Sequence, residues 1–325
     1  MRLLPGVIGG LLLAAAYTAS PLGVLFVCAA PLLCVVAGRG LEAPERRILY
    51  VILGSALAAR LIAVIALFLI GIPYHNDLAV GALSGDEAYN LGRALRSRDI
   101  LLGLGGTHYD YFVATDEYGR TSYLQLLTYM QLVFGPSPYG LRLVNALLFT
   151  AGAAVLFRTV RPGFGALPAF GGLLVVVFLP SVFYASISLL KEALYFLATS
   201  VFLAAVIHAL RFPGLLNVVL SLALAAGSVW VLDDLRRGAV VLAMAGVACG
   251  ILIRVAGGLR WRLAIVTVAL VAAAITFATQ PPLQLRLLAG VSGLAKQHSG
   301  HVFTVGHAYK LLDEGFTRQL TGGVT

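Results

Sequence analysis

Residues 191–237 read KEALYFLATSVFLAAVIHALRFPGLLNVVLSLALAAGSVWVLDDLRR. Two apolar runs, at about 191–210 and 214–231, are divided by Arg211-Phe-Pro-Gly214 and bracketed by Lys191-Glu192 and Asp233-Asp234-Leu235-Arg236-Arg237. A bilayer core calls for about 20 apolar residues per helix, so the stretch reads as two membrane spans. Similar runs fall at about 4–19, 21–37, 48–72, 139–159, 166–185, 238–253 and 262–279, which makes about nine in all. The expected fold class is all-α, a polytopic transmembrane helical bundle.

Composition agrees. Of 325 residues, 60% are hydrophobic and 11% charged, and the mean hydropathy is +0.93. A soluble domain carries about 25% charged residues. This chain cannot cover a water-facing surface, which excludes a soluble enzyme, a nucleic-acid-binding domain, a disordered tail and a secreted disulfide scaffold. The net charge of +9 invites a nucleic-acid reading, but 20 of the 23 basic residues are arginines standing singly or in pairs at the ends of apolar runs. No basic stripe with interleaved aromatics is present, so nucleic acid is not an expected partner. Cys28, Cys34 and Cys249 lie inside apolar runs without metal-ligand spacing and read as packing residues.

Orientation follows from the loops. With residues 38–47 in the cytoplasm, alternation also places Arg158, Arg161, Arg211, Arg254, Arg260 and Arg262 there, as the positive-inside rule requires. Of the 14 acids only Glu42 and Glu45 share that side. The expected organisation is two N-terminal spans with a cytoplasmic loop (1–47), a seven-span module (48–279) and an external tail (280–325). The first run carries features of a signal peptide (Arg2, an apolar stretch, then Ala16-Tyr-Thr-Ala-Ser20), but is read as a retained helix. The connection at about 73–138 is far longer than usual and external. Within it, Tyr123–Phe134 is amphipathic at helical spacing and too short to span, which suits an interfacial helix on the outer leaflet.

Charged groups at the outer ends of the spans are the candidate site. Ser84-Gly85-Asp86-Glu87-Ala88-Tyr89 places two acids just beyond a membrane exit. Adjacent helical residues point about 100° apart, so one acid is able to face a reacting centre while the other caps a helix or holds a basic partner. The same pattern also suits a solvated helix start. Lys191-Glu192 stands at the outer end of an apolar helix, where ionisable residues commonly face a polar cavity, or else snorkel to the interface. Arg236-Arg237 suits bidentate phosphate binding, with Asp233 and Asp234 beside it as neutralising partners in the plainer reading. Arg120 is a further phosphate candidate. His298, His301 and His307 in the tail make only a weak metal pattern. Gly103-Leu-Gly105-Gly106 lacks the Lys-Ser/Thr of a P-loop and reads as a hinge. Tyr109, Tyr111, Phe112, Tyr118 and Tyr123 fit an interfacial aromatic belt or stacking surfaces for a sugar.

In their order, these features resemble the GT-C class of membrane glycosyltransferases, of the protein O-mannosyltransferase and lipid A aminoarabinose transferase kind. The resemblance is carried by Gly85-Asp86-Glu87-Ala88-Tyr89, Gly119-Arg120-Thr-Ser-Tyr-Leu, Phe134-Gly-Pro-Ser, Arg142-Leu-Val-Asn145-Ala, Arg158-Thr-Val-Arg161-Pro-Gly-Phe-Gly165 and Pro180 through Lys191-Glu192. It covers roughly residues 48–280, with the seven spans of the class module. It implies a transferase of the plasma or inner membrane, with an external site and a polyprenyl-phosphate sugar donor. The acceptor would be a hydroxyl on a glycan, lipid or protein. The catalytic acid of the class falls on Asp86 with Glu87 beside it, and its second external acid most nearly on Glu192. The lipid-phosphate residue falls on Arg120, although the usual Lys-Pro-Pro-Leu run is here Arg120-Thr-Ser-Tyr-Leu. Members generally continue with further spans or a soluble domain, so this shorter sequence suggests a truncation, or acceptor recognition elsewhere.

On this reading Asp86 takes the acceptor proton as general base, aided by Glu87. Tyr89, Arg120, Lys191, Arg236 and Arg237 bind substrate and meet the leaving phosphate. A divalent ion held by Asp86 and Glu192 would share that work. Rival readings are a transporter or lipid flippase, whose external acids would bind a coupling ion, and a non-catalytic subunit of a polysaccharide assembly complex.

Overall fold

The computed structural model describes residues 4–71, 85–115, 121–212, 214–236 and 238–256. Among these residues the secondary structure is helical, with no strand. The helices are α1 (Leu4–Ala19), α2 (Pro21–Gly38), α3 (Ala43–Gly71), α4 (Gly85–Leu101), α5 (His108–Thr115), α6 (Ser122–Phe134), α7 (Pro138–Phe164), α8 (Ala166–Phe178), α9 (Pro180–Ile187), α10 (Glu192–Arg211), α11 (Leu215–Leu235) and α12 (Ala239–Ala256). The chain divides into two compact units, Met1–Arg237 and Gly238–Thr325. Helices α1 to α11 belong to the first unit. In the second, the described part is α12, a single apolar helix.

Five helices, α2, α3, α7, α10 and α11, are long and apolar enough to cross a bilayer, and α8 with α9 would make a sixth passage bent by 58°. These helices mark a membrane-embedded protein. Helices α1 and α12 contain shorter apolar stretches, and the expected run at 262–279 lies outside the described residues. The expected span at 166–185 is covered by α8 and α9, which bend at Leu179-Pro180, because proline lacks the N–H that would continue the helix.

Helix α7 is the central post, packed against α2, α3, α8, α9 and α10. Two glycines allow its close approaches. A Cβ on Gly152 would stand 2.9 Å from a ring carbon of Phe196 and 3.0 Å from the Leu197 Cα of α10. One on Gly140 would overlap Ser20 and Ser137, whose hydroxyls are hydrogen-bonded to each other. Hydroxyls inside the apolar helices turn back on their own backbone. Thr150 donates to Ala146 O (2.7 Å) and Ser200 to Phe196 O (2.8 Å), which satisfies them without water.

The break between α8 and α9 is held by a charged side chain from α3. Arg60, fully buried, donates from Nη2 to Val177 O (3.0 Å), from Nε to Ser186 Oγ (2.8 Å) and from Nη1 to Ala56 O (3.1 Å). Its guanidinium also lies 4.9 Å from the Phe149 ring centre and 4.8 Å from that of Phe183. A planar fork with five donors suits this task, and an ammonium does not. A charge at this depth is costly, and it is tolerated here because hydrogen bonds and aromatic faces replace its hydration.

The two ends of the bundle differ in charge. At one end Arg158 donates to the carbonyls of Ala37 (3.2 Å) and Arg39, capping α2, while Arg161 pairs with Glu45. Arg211 lies beside Gly163 at the same end. The opposite end carries α4 to α6, the start of α10 and the end of α11. Replacing Arg60 with methionine keeps bulk and removes every donor. It is expected to cost about 1–3 kcal/mol by stranding the Val177 carbonyl, while the Ser186 hydroxyl keeps its bond to Phe183 O. The check is thermal unfolding in detergent micelles, with Arg60→Lys recovering only part of the loss.

Candidate functional site

The site lies at the end of the bundle carrying α4 to α6. Gly85 opens α4, and the two acids occupy its first turn, where the helix dipole favours negative charge. The helical twist then separates them. Asp86 is exposed, whereas Glu87 is fully buried in a 2.8 Å ion pair with Arg142 of α7, itself 2% exposed. Glu87 also accepts the backbone N–H of Leu189 (3.0 Å). Of the two roles open to the adjacent acids, catalysis beside Asp86 or holding a basic partner, the ion pair with Arg142 gives Glu87 the second. The geometry makes it a buried tie between α4, α7 and the chain leading into α10.

That chain, Ser188–Lys191, is a non-helical turn between α9 and α10. Asn145 of α7, 1% exposed, donates to the carbonyls of Ser188 and Leu190 and to the Tyr123 hydroxyl (2.9 Å). Asn90 of α4 donates to Leu189 O (3.2 Å). Tyr123 of α6 is 1% exposed, and burial pushes its phenol far above the usual range. The Asn145 hydrogen bond opposes that rise, while the negative charges of Glu87 and Glu192 add to it. Tyr123 therefore stays neutral at any physiological pH.

The turn delivers Lys191 and Glu192 to the mouth of the site. Lys191 Nζ reaches across to Leu235 O at the end of α11 (2.8 Å). Burial lowers its pKa first and the nearby Arg236 cation second, while Glu192, Asp234 and Asp86 pull it back up. Glu192 accepts from Arg236 Nη2 at 3.3 Å, and the Arg236 guanidinium lies 5.4 Å from the Tyr195 ring centre. Asp234 accepts the backbone N–H of Ser122, capping α6 from another helix. Three segments far apart in the chain thus bring Asp86, Glu192, Asp234 and Arg236 within electrostatic reach of Lys191.

The other expected residues fall around this group or beyond it. Tyr89 is exposed and accepts from Arg93 Nη1 (3.3 Å), with the Arg93 guanidinium 6.0 Å from its ring centre. Arg120 and Arg237 lie outside the described residues, as do His298, His301 and His307. Among the described residues no group of three or more His, Cys, Asp or Glu side chains is arranged to hold a metal. Farther along, α5 begins with a reciprocal cap. Asp110 accepts the Thr107 hydroxyl and backbone N–H, and Asp110 N–H donates back to Thr107 Oγ1. Those bonds from Thr107, followed by Arg96 at 2.9 Å, hold the Asp110 carboxyl below the usual carboxylate range.

No protein-family model matches the chain, and no match is found among curated proteins or solved structures.

The two adjacent acids should separate cleanly in mutants. Glu87→Ala leaves the Arg142 charge buried and unpaired, a loss of about 3–5 kcal/mol. Asp86→Asn should leave the unfolding midpoint close to that of the parent protein. Thermal melts of the two variants in the same detergent check both expectations.

Proposed function

We propose that this chain is a membrane glycosyltransferase that moves a sugar from a polyprenyl-phosphate donor to a hydroxyl acceptor at the extracytoplasmic rim. The observation that carries the reading is the convergence of Asp86, Lys191, Glu192 and Arg236 at the end of the bundle opposite Arg158, Arg161 and Arg211. The positive-inside rule, counted over the short loops that carry those arginines, supports a cytoplasmic placement of that end. The finer architecture belongs to the same proposal: about nine spans, seven of them forming a GT-C-like module, with α4 to α6 as a helical layer over the outer mouth.

In this mechanism the acceptor hydroxyl attacks the anomeric carbon as its proton passes to the Asp86 carboxylate. The bond from that carbon to the phosphate oxygen breaks, the anomeric configuration inverts, and the departing polyprenyl phosphate carries the electron pair. Lys191 and Arg236 neutralise the charge growing on the phosphate. Glu192 holds Arg236 in place, and the exposed Tyr89 ring offers a face for the sugar. Asp234 acts at a distance, by capping α6.

A specific observation favours one rival. Transporters commonly contain discontinuous membrane helices, and the passage formed by α8 and α9 is broken. Incubating the purified protein with a labelled polyprenyl-phosphate sugar and an acceptor separates the readings. Release of polyprenyl phosphate that Asp86→Asn abolishes is the expected result, and absence of release from the parent protein overturns the proposal.

The rate should also fall on the alkaline side. Lys191 must be charged to meet the phosphate, and its pKa lies below that of an ordinary lysine. Its charge is full below the lowered pKa and lost as pH rises through it. The alkaline limb of the pH–rate profile is thus expected at lower pH than an ordinary lysine would give. In Lys191→Arg it should move upward, because arginine keeps its charge.

A further inference from the structure

The turn Ser188–Lys191 is held in an unusual way. Helix ends are ordinarily satisfied by neighbours in sequence. Here four hydrogen bonds to three consecutive residues come from side chains 43 to 102 positions away. Glu87 and Asn90, one turn apart on α4, take both polar atoms of Leu189: the carboxylate accepts its N–H and the amide donates to its carbonyl. Asn145 donates to the carbonyls on either side. Arg142, one turn from Asn145 on α7, fixes the Glu87 carboxylate. Glu87, Arg142, Asn145, Ser188 and Leu189 are all buried. Water therefore cannot stand in for the bonds to Ser188 O and the Leu189 N–H, and the turn has little freedom to shift relative to α4 and α7.

We propose that Asn145 and Glu87 are positioning residues: from two helices they grip the backbone of the Ser188–Lys191 turn and so set Lys191 and Glu192 beside Asp86. One anchor serves both sides of the mouth, since Glu87 fixes the rotation of α4 that presents Asp86 and also holds the turn that presents Lys191. Neither residue touches substrate. Their role in sugar transfer rests on the transferase reading, while the placement of Lys191 does not.

The test reads Lys191 directly in the full-length protein in detergent micelles. The chain has three lysines, Lys191, Lys296 and Lys310, so acylation by an amine-reactive ester over an alkaline pH series is followed for each by peptide mass. The charged groups acting on Lys191 are Arg236, Glu192, Asp234 and Asp86, with burial as the largest influence. Asn145 carries no charge, so replacing it alters Lys191 only through geometry. In Asn145→Ala the released turn exposes the ammonium. The midpoint of its reactivity should then move up toward that of an ordinary lysine, and its plateau rate should rise severalfold. Asn90→Ala, which removes one half-buried bond, should move both in the same direction by less. Asp86→Asn should instead lower the midpoint, because it removes an anion. If Asn145→Ala still melts cooperatively and Lys191 keeps the parent midpoint and plateau, the proposal is overturned. If that variant does not fold, Asn90→Ala decides by the same criterion. A protein that transfers no sugar sinks the transferase reading and leaves the labelling result standing.

Discussion

A backbone carbonyl that loses its helical partner inside a bilayer has no water to turn to, and leaving it bare costs several kcal/mol. The arrangement of this protein follows from meeting that requirement at two places along the stretch from α8 to α10. At the first, after α8, Arg60 brings donors to Val177 O and Ser186 Oγ. At the second, between α9 and α10, Glu87, Asn90 and Asn145 address the backbone of Ser188–Leu190. Both sets of side chains come from other helices. The broken passage is consequently tied to α3, α4 and α7.

The chemistry at the mouth depends on this internal order. Lys191 and Glu192 are presented where a helix begins, not on a free loop, and the turn before them is tied on both sides. The charges that meet them come from α4 and α11; the Lys191–Leu235 contact ties α11 to the start of α10, and the Asp234 cap ties it to α6, which packs on α4. The opposite end uses arginines differently: Arg158 and Arg161 cap and cross-link helix ends there. The polar network of the mouth is thus continuous with the network that closes the second break.

Much of this was legible in the sequence for simple reasons. The long apolar runs had to be helices in lipid, and charges at their ends had to gather at the two faces. The stretch at 123–134 had the apolar spacing of a helix, and α6 covers it. The broken passage was harder to see, because 166–185 is apolar throughout and hydropathy does not register Pro180 as a break. Arg60 escaped notice although its signal was present: a lone arginine within an apolar run needs buried partners. Asn90 and Asn145 carried a quieter signal, each three residues beyond a charged residue (Glu87 and Arg142) and so on the same helical face. Spacing alone could not show that both pairs converge on one turn, because the partners lie far apart in the chain.

The adjacency of Asp86 and Glu87 has a consequence for how this stretch tolerates change. The residue that locks α4 in place and the residue it presents to the mouth are neighbours, so their division of labour is written in the phase of a single helix. One added or missing residue between Gly85 and Asn90 would advance that phase by about 100°. Buried and displayed positions would then be exchanged while the composition of the segment stayed almost the same. Slippage should therefore be harsher than either single substitution, because it removes the Glu87 tie and the display of Asp86 together.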